Sequence, residues 1–84
     1  MQIITTVRDY IREELAPDRP DVPLAPADDL VVQGLIDSVG ILKLIAFLET
    51  TFAIEVHDDE VLPENFGSLA QIERFVLAKL GEKR

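Results

Sequence analysis

Pro17, Pro20, Pro23 and Pro26 fall so close together that the segment APDRPDVPLAPADDL, residues 16–30, cannot be a regular helix. Each proline removes an amide donor and restricts the residue before it. The segment reads as a long ordered loop that crosses the molecule, pinned to a core by Val22, Leu24, Leu30 and Val31. A connection of this length inside a compact domain points to a function or to a long crossover. Ahead of it, Ile3, Ile4, Val7, Ile11 and Leu15 recur at helical spacing, which predicts an amphipathic helix over 2–16.

Beyond the loop, Gly34 is a break, and Asp37 and Ser38 both carry the side-chain oxygens that cap a helix start. From Val39 to about Thr51 the chain is apolar on most of a helix circumference. Val39, Leu42, Ile45, Ala46, Leu48 and Phe52 can share one broad face, so this helix is expected at the centre of the domain. Residues 53–56 read as an extended link. Asp58, Asp59 and Glu60 suit the positive end of a brief helix, which Pro63 ends or kinks. Ser68 followed by Gln71 is a capping-box pattern, and Leu69, Ile72, Phe75, Val76 and Leu80 form the stripe of a last helix that Gly81 is expected to stop. The tail Glu82-Lys83-Arg84 is expected to fray. The expected fold is all-α: a single domain over 1–84, a small four-helix bundle of three longer helices and one short one, with a long first loop.

Composition narrows the function. At 84 residues the core is thin and a deep pocket with a full catalytic apparatus around it is out of reach, yet 48% apolar residues argue against disorder. There is no cysteine, hence no disulfide framework and no cysteine-ligated zinc. The stretch MQIITTVRDYIREEL lacks the basic start and unbroken apolar run of a secretory leader, and no segment has the apolar length of a membrane span. A net charge of −8 repels nucleic acid and anionic membranes and attracts basic patches on proteins, with salt-sensitive docking as the corollary. These features fit a cytoplasmic monomer.

The most informative run is Gly34-Leu35-Ile36-Asp37-Ser38-Val39: a serine at the mouth of the most apolar helix, where free amides and the helix dipole tolerate a phosphate. Here the chain resembles the acyl carrier protein family through G-x-x-D-S followed by an apolar residue. The resemblance continues through Leu48-Glu49, Phe52, Ile54-Glu55-Val56, the acidic turn at Asp58–Glu60, Pro63-Glu64-Asn65-Phe66-Gly67-Ser68-Leu69 and Ile72. It covers roughly residues 30–80, and the first helix fits the same architecture.

The resemblance implies a freestanding, non-catalytic carrier. Ser38 would hold a 4'-phosphopantetheine arm, taken from coenzyme A by a phosphopantetheinyl transferase, and the arm's thiol would carry acyl or aminoacyl cargo as a thioester. Asp37 would be the flanking residue the transferase reads. Val39, Glu49, Asp58, Asp59 and Glu60 would meet partners: the transferase, a loading ligase or acyltransferase, and downstream synthase enzymes. Val39 and Leu42 would also line the bundle interior, where some carriers shelter an acyl chain. Two departures, Lys43 and Gly40 at positions often acidic or polar, favour a specialised carrier over the housekeeping fatty acid one. Asp-Ser in place of His-Ser tilts against a peptidyl carrier. Fatty acyl, polyketide, amino acid and D-alanine cargoes all stay open.

Blander and rival readings stand beside this one. Ser38 also suits a plain N-cap, a role compatible with attachment. A hydrolase using Ser38 and the lone His57 lacks the G-x-S-x-G elbow and the scaffold for it. The Asp58-Asp59-Glu60 run lacks the alternating ligands and glycine of a calcium loop, so no metal site is expected. The remaining alternative is an unmodified acidic helical module for protein–protein interaction.

Overall fold

A computed structural model describes residues 2–19 and 24–82. Val22, expected to pin the loop, and the Lys83-Arg84 tail lie outside the described residues. Among those described, the secondary structure is entirely helical. Helix α1 spans Ile3–Tyr10 and widens into a π-helical turn, Ile11–Leu15. Helix α2 spans Ser38–Phe52, a 3-10 turn spans Asp58–Glu60, and α3 and α4 span Pro63–Phe66 and Leu69–Glu82.

Helix α1 forms as its periodicity predicts: Ile3, Val7 and Ile11 are fully buried. Its end is a widened turn in which the Ala16 amide reaches back to the Ile11 carbonyl at 2.8 Å, just before Pro17. Tyr10 fastens α1 to α2. Its ring stacks on Phe47 with centroids 4.0 Å apart, and its hydroxyl donates to the Lys43 carbonyl at 3.2 Å. Burial, then the nearby Glu14 carboxylate, pushes the Tyr10 hydroxyl above the ordinary tyrosine range.

The described part of the proline segment crosses to the start of α4. There the Ala70 amide donates to the Pro26 carbonyl at 2.9 Å, and the Leu30 amide to the Gly67 carbonyl at 2.9 Å. Leu24 and Leu30 are buried as expected, but Val31 is 65% exposed and pins nothing. The Asp29 carboxylate accepts from the Val31 and Val32 amides, curling the chain into a turn that directs both side chains to solvent. Gly34 closes the turn at φ 71°, a left-handed conformation under the Arg19 guanidinium, where a Cβ would sit 2.7 Å from Nη1.

Helix α2 buries Gly40, Leu44 and Leu48. Val39 and Leu42, expected inside the bundle, are exposed, and so is Ala46. An apolar circumference predicts burial on most sides; in the fold α2 packs one side into the core through Leu44 and Leu48 and leaves another apolar face uncovered. The helix ends at Ala53, whose φ of 55° is the left-handed exit that a glycine usually supplies.

The short helix also falls elsewhere than expected. Asp58–Glu60 is a single 3-10 turn, and Pro63 opens α3 at its first position, where the missing amide costs nothing. Phe66 is buried against Phe75, with ring centroids 5.1 Å apart. The Ser68 hydroxyl accepts from the Gln71 amide at 3.2 Å and caps α4, whose stripe is the predicted one. Gly81 does not stop α4, which runs on to Glu82. Helix α4 packs most closely on α1 and α3, so α2 and α3 are left with an open seam between them.

Candidate functional site

Ser38 is the first residue of α2, and it is exposed. It is not the cap. Asp37 holds that position in extended backbone, and its Oδ1 accepts from the Gly40 amide at 2.7 Å. Gly40 allows this approach: a Cβ there would lie 3.2 Å from the same oxygen. Two adjacent residues with capping chemistry thus divide the work. Asp37 satisfies the helix start, and the Ser38 hydroxyl makes no hydrogen bond to any described residue. Asp37→Ala is expected to destabilise the protein by about 1 kcal/mol and Asp37→Asn by much less, because asparagine caps nearly as well. Urea melts of the two variants check this, and equal losses would show that the cap is not what Asp37 supplies.

Beside Ser38 the seam between the 29–37 segment, α2 and residues 61–67 opens into a groove of about 1020 Å³. Its walls are mainly apolar, with Val31, Val32, Ile36, Val61, Leu62 and Phe66 among them. Asp29, Asp37 and Glu64 bring negative charge to it. In the sequence Val31 reads as a core pin beside a proline-rich loop, and neither it nor Val32 stands out as a site residue. A local signal was present: Asp29, two and three residues ahead, accepts from both amides and turns the pair outward.

The other predicted site residues are dispersed. Val39 is 59% exposed, next to Ser38. Glu49 is turned inward, its Oε2 accepting from the Val56 amide at 3.0 Å and tying the 53–56 link to α2. Asp58 and Asp59 are exposed. Glu60 is engaged within the fold: Oε1 accepts from the His57 amide at 2.9 Å and lies 2.6 Å from Nζ of Lys79. His57 is exposed, with Nδ1 3.8 Å from Glu55, and it does not line the groove with Ser38.

Lys79 was the missed residue, although its spacing on the stripe of Leu69, Ile72 and Val76 marks it as inward-facing. It is 8% exposed, with Nζ 5.6 Å from the Phe75 ring centroid. The Lys79 hydrogen bond, then the His57 amide, holds the Glu60 carboxyl below the ordinary glutamate range, with partial burial opposing them. A carboxyl depressed in the folded state stabilises above its unfolded pKa, and that contribution is lost as pH falls through the folded value. The difference in melting temperature between the native protein and Glu60→Gln should therefore narrow as pH drops from 7 through and below the ordinary glutamate range. A gap that does not change with pH would remove the pair from the acid response of the fold. The same pair, with the Asn65 side chain donating to the Glu60 carbonyl at 2.8 Å, anchors the turn leading into the Val61-Leu62 wall of the groove.

The fold and site define a small helical scaffold that presents an unengaged serine hydroxyl at the head of a helix, beside an open apolar groove. The chain is similar to aminoacyl carrier protein 2 of Bradyrhizobium diazoefficiens, with 32% identity over 75 residues, spanning 89% of this chain and 83% of that protein. The chain belongs to the carrier protein family. No family model matches it. Among the described residues no helix is long and apolar enough to cross a membrane.

Proposed function

We propose that Ser38 is the attachment site of a 4'-phosphopantetheine arm and that the protein is a non-catalytic tether for aminoacyl cargo. The observation that carries this reading is the free, exposed hydroxyl of Ser38 at the first position of α2, left unengaged because Asp37 holds the cap. The surroundings fit the arm. The helix start favours the negative charge of a phosphodiester, and Asp37, though anionic, is satisfied by the Gly40 amide. The groove alongside has room and an apolar lining. When bound, the arm supplies a thiol that holds the cargo as a thioester, which is why a chain without cysteine can serve. The chain's own part is to hold the arm's anchor in the open and so raise the concentration of cargo at each partner.

Aminoacyl cargo is preferred among acyl alternatives because the similar Bradyrhizobium protein is named an aminoacyl carrier. Lys43 and Gly40 on α2 also favour a specialised carrier over a fatty acid one. The partners in this reading are a phosphopantetheinyl transferase, a loading ligase and the enzymes that take the cargo, all in the cytoplasm. Asp37 serves both as helix cap and as the charge beside the serine that the transferase reads. Intact mass after incubation with coenzyme A and a promiscuous phosphopantetheinyl transferase, with peptide mapping, tests the reading. One phosphopantetheine on Ser38 supports it. A folded protein that takes up none under an active transferase would leave an acidic interaction module as the better account.

A further inference from the structure

Lysine is seldom buried unless paired, and Lys79 is 8% exposed on the inner side of α4. A methionine would fill the same space with no charge to desolvate. Buried ion pairs add little net stability over apolar residues of the same shape, so the place of this one calls for another role. Lys79 reaches the groove by two routes. Its Nζ lies 2.6 Å from Oε1 of Glu60, and the next two residues, Val61 and Leu62, form the outer wall. Its Nζ also stands over the Phe75 ring, which packs on Phe66, a lining residue of the groove.

The outer wall has little else to hold it. From His57 to Leu62 no residue is buried, and Val61 and Leu62 are 37% and 41% exposed. The backbone hydrogen bonds of this segment run within it or forward into α3. Both ends are fastened. Ahead of it Ile54 is buried and the Val56 amide donates to Glu49, and beyond it Phe66 is buried. Between these points the segment is a strap, tied across to α4 by the Glu60 carboxylate. Segments with few buried apolar contacts open locally, at less cost than the whole fold. With the Lys79 side chain 9% exposed, the tie is little screened by salt.

We propose that Lys79 is a positioning residue, a latch on α4 that holds the 57–62 strap against the groove. With the pair made, Val61 and Leu62 stand where they bound the groove beside Ser38. With it broken, the strap moves between Ile54 and Phe66 while the rest of the bundle keeps its packing. The width of the groove is thus set from α4, which packs on α1 and α3, and not from the helix that begins at Ser38. The latch does not depend on what Ser38 carries.

The test is amide hydrogen exchange, followed by NMR, on the native protein and matched variants. Lys79→Met keeps the apolar stem of the side chain and removes its charge. It should speed exchange of the 57–62 amides at least about tenfold, with α1 and α4 amides within about twofold and the melting temperature within a few degrees of native. Glu60→Gln, which leaves a weaker acceptor, should give about threefold, and it reads the same contact if Lys79→Met fails to fold by circular dichroism. Asp59→Asn takes a charge from the same strap without touching Lys79 and should leave these rates within about twofold. The double variant of Lys79→Met and Glu60→Gln should exchange no faster than Lys79→Met alone, because both changes act through one contact. Unchanged exchange over 57–62 in both single variants would overturn the latch. So would exchange quickened alike in the strap, α1 and α4, which is the signature of a merely structural lysine. An equal effect from Asp59→Asn would also overturn it, by showing that any lost charge loosens the strap.

Discussion

Ser38→Ala will abolish uptake of phosphopantetheine and all loading of cargo, while the variant melts within a few degrees of the native protein. The two halves of this expectation rest on different observations. Loading is lost because the carrier reading puts the whole chemistry on one oxygen. Among the described residues no other stands at the head of α2 with a free hydroxyl beside the groove. Stability is kept because Ser38 does not cap the helix. Asp37 accepts from the Gly40 amide, and Ser38 is exposed, so alanine at the first helical position removes no partner and opens no cavity. Substitutions of this kind stay within about 0.5 kcal/mol. Intact mass and a thermal melt on the same sample check both halves. A large drop in melting temperature would mean that Ser38 is structural, and retained loading would mean that the arm is elsewhere.

Gly67→Ala is expected to be the most damaging small change in the described structure. The glycine has an ordinary right-handed backbone, φ −77°, so conformation is not the reason. Space is. A Cβ there would lie 2.6 Å from the Pro63 carbonyl oxygen and 2.7 Å from Oε1 of Gln71. The glutamine can turn aside, but the carbonyl belongs to the backbone of α3 and moves only with it. The Gly67 carbonyl also receives the Leu30 amide, so a shift here loosens the proline-rich crossing as well. Overpacking of this kind costs about 1–3 kcal/mol. In a domain of this size each kcal/mol lowers the melting temperature by about 4–8 °C. Because Gly67 and Pro63 line the groove, slower transfer to Ser38 should accompany the loss. A melting temperature within about 2 °C of native would show that α3 yields freely.

Much of this molecule was legible before its fold. The all-helical class, the long proline crossing, the burial of Leu24 and Leu30 and the stripe of α4 follow from local rules. Prolines forbid helix wherever they stand, and amphipathic spacing reports a buried face at short range. Their place before an apolar helix marks Asp37 and Ser38 as cap candidates, and it is the resemblance to the acyl carrier protein family, spread over residues 30–80, that points to Ser38 as an attachment site.

The remainder depended on which surfaces meet. Asp37 and Ser38 are equal candidates for a cap, and the geometry of one hydrogen bond to Gly40 assigned it to Asp37 and freed the serine. Val39 and Leu42 are as apolar as Leu44 and Leu48. Hydropathy cannot tell which side of α2 a partner helix will cover, because the side depends on how helices far apart in the chain come to lie. Lys79 falls on a buried stripe, but its tolerance there depends on Glu60, nineteen positions earlier and brought within 2.6 Å by the turn before α3. Short-range patterning shaped the elements and marked the serine. Long-range packing settled which of its neighbours face the core and which are left for a partner.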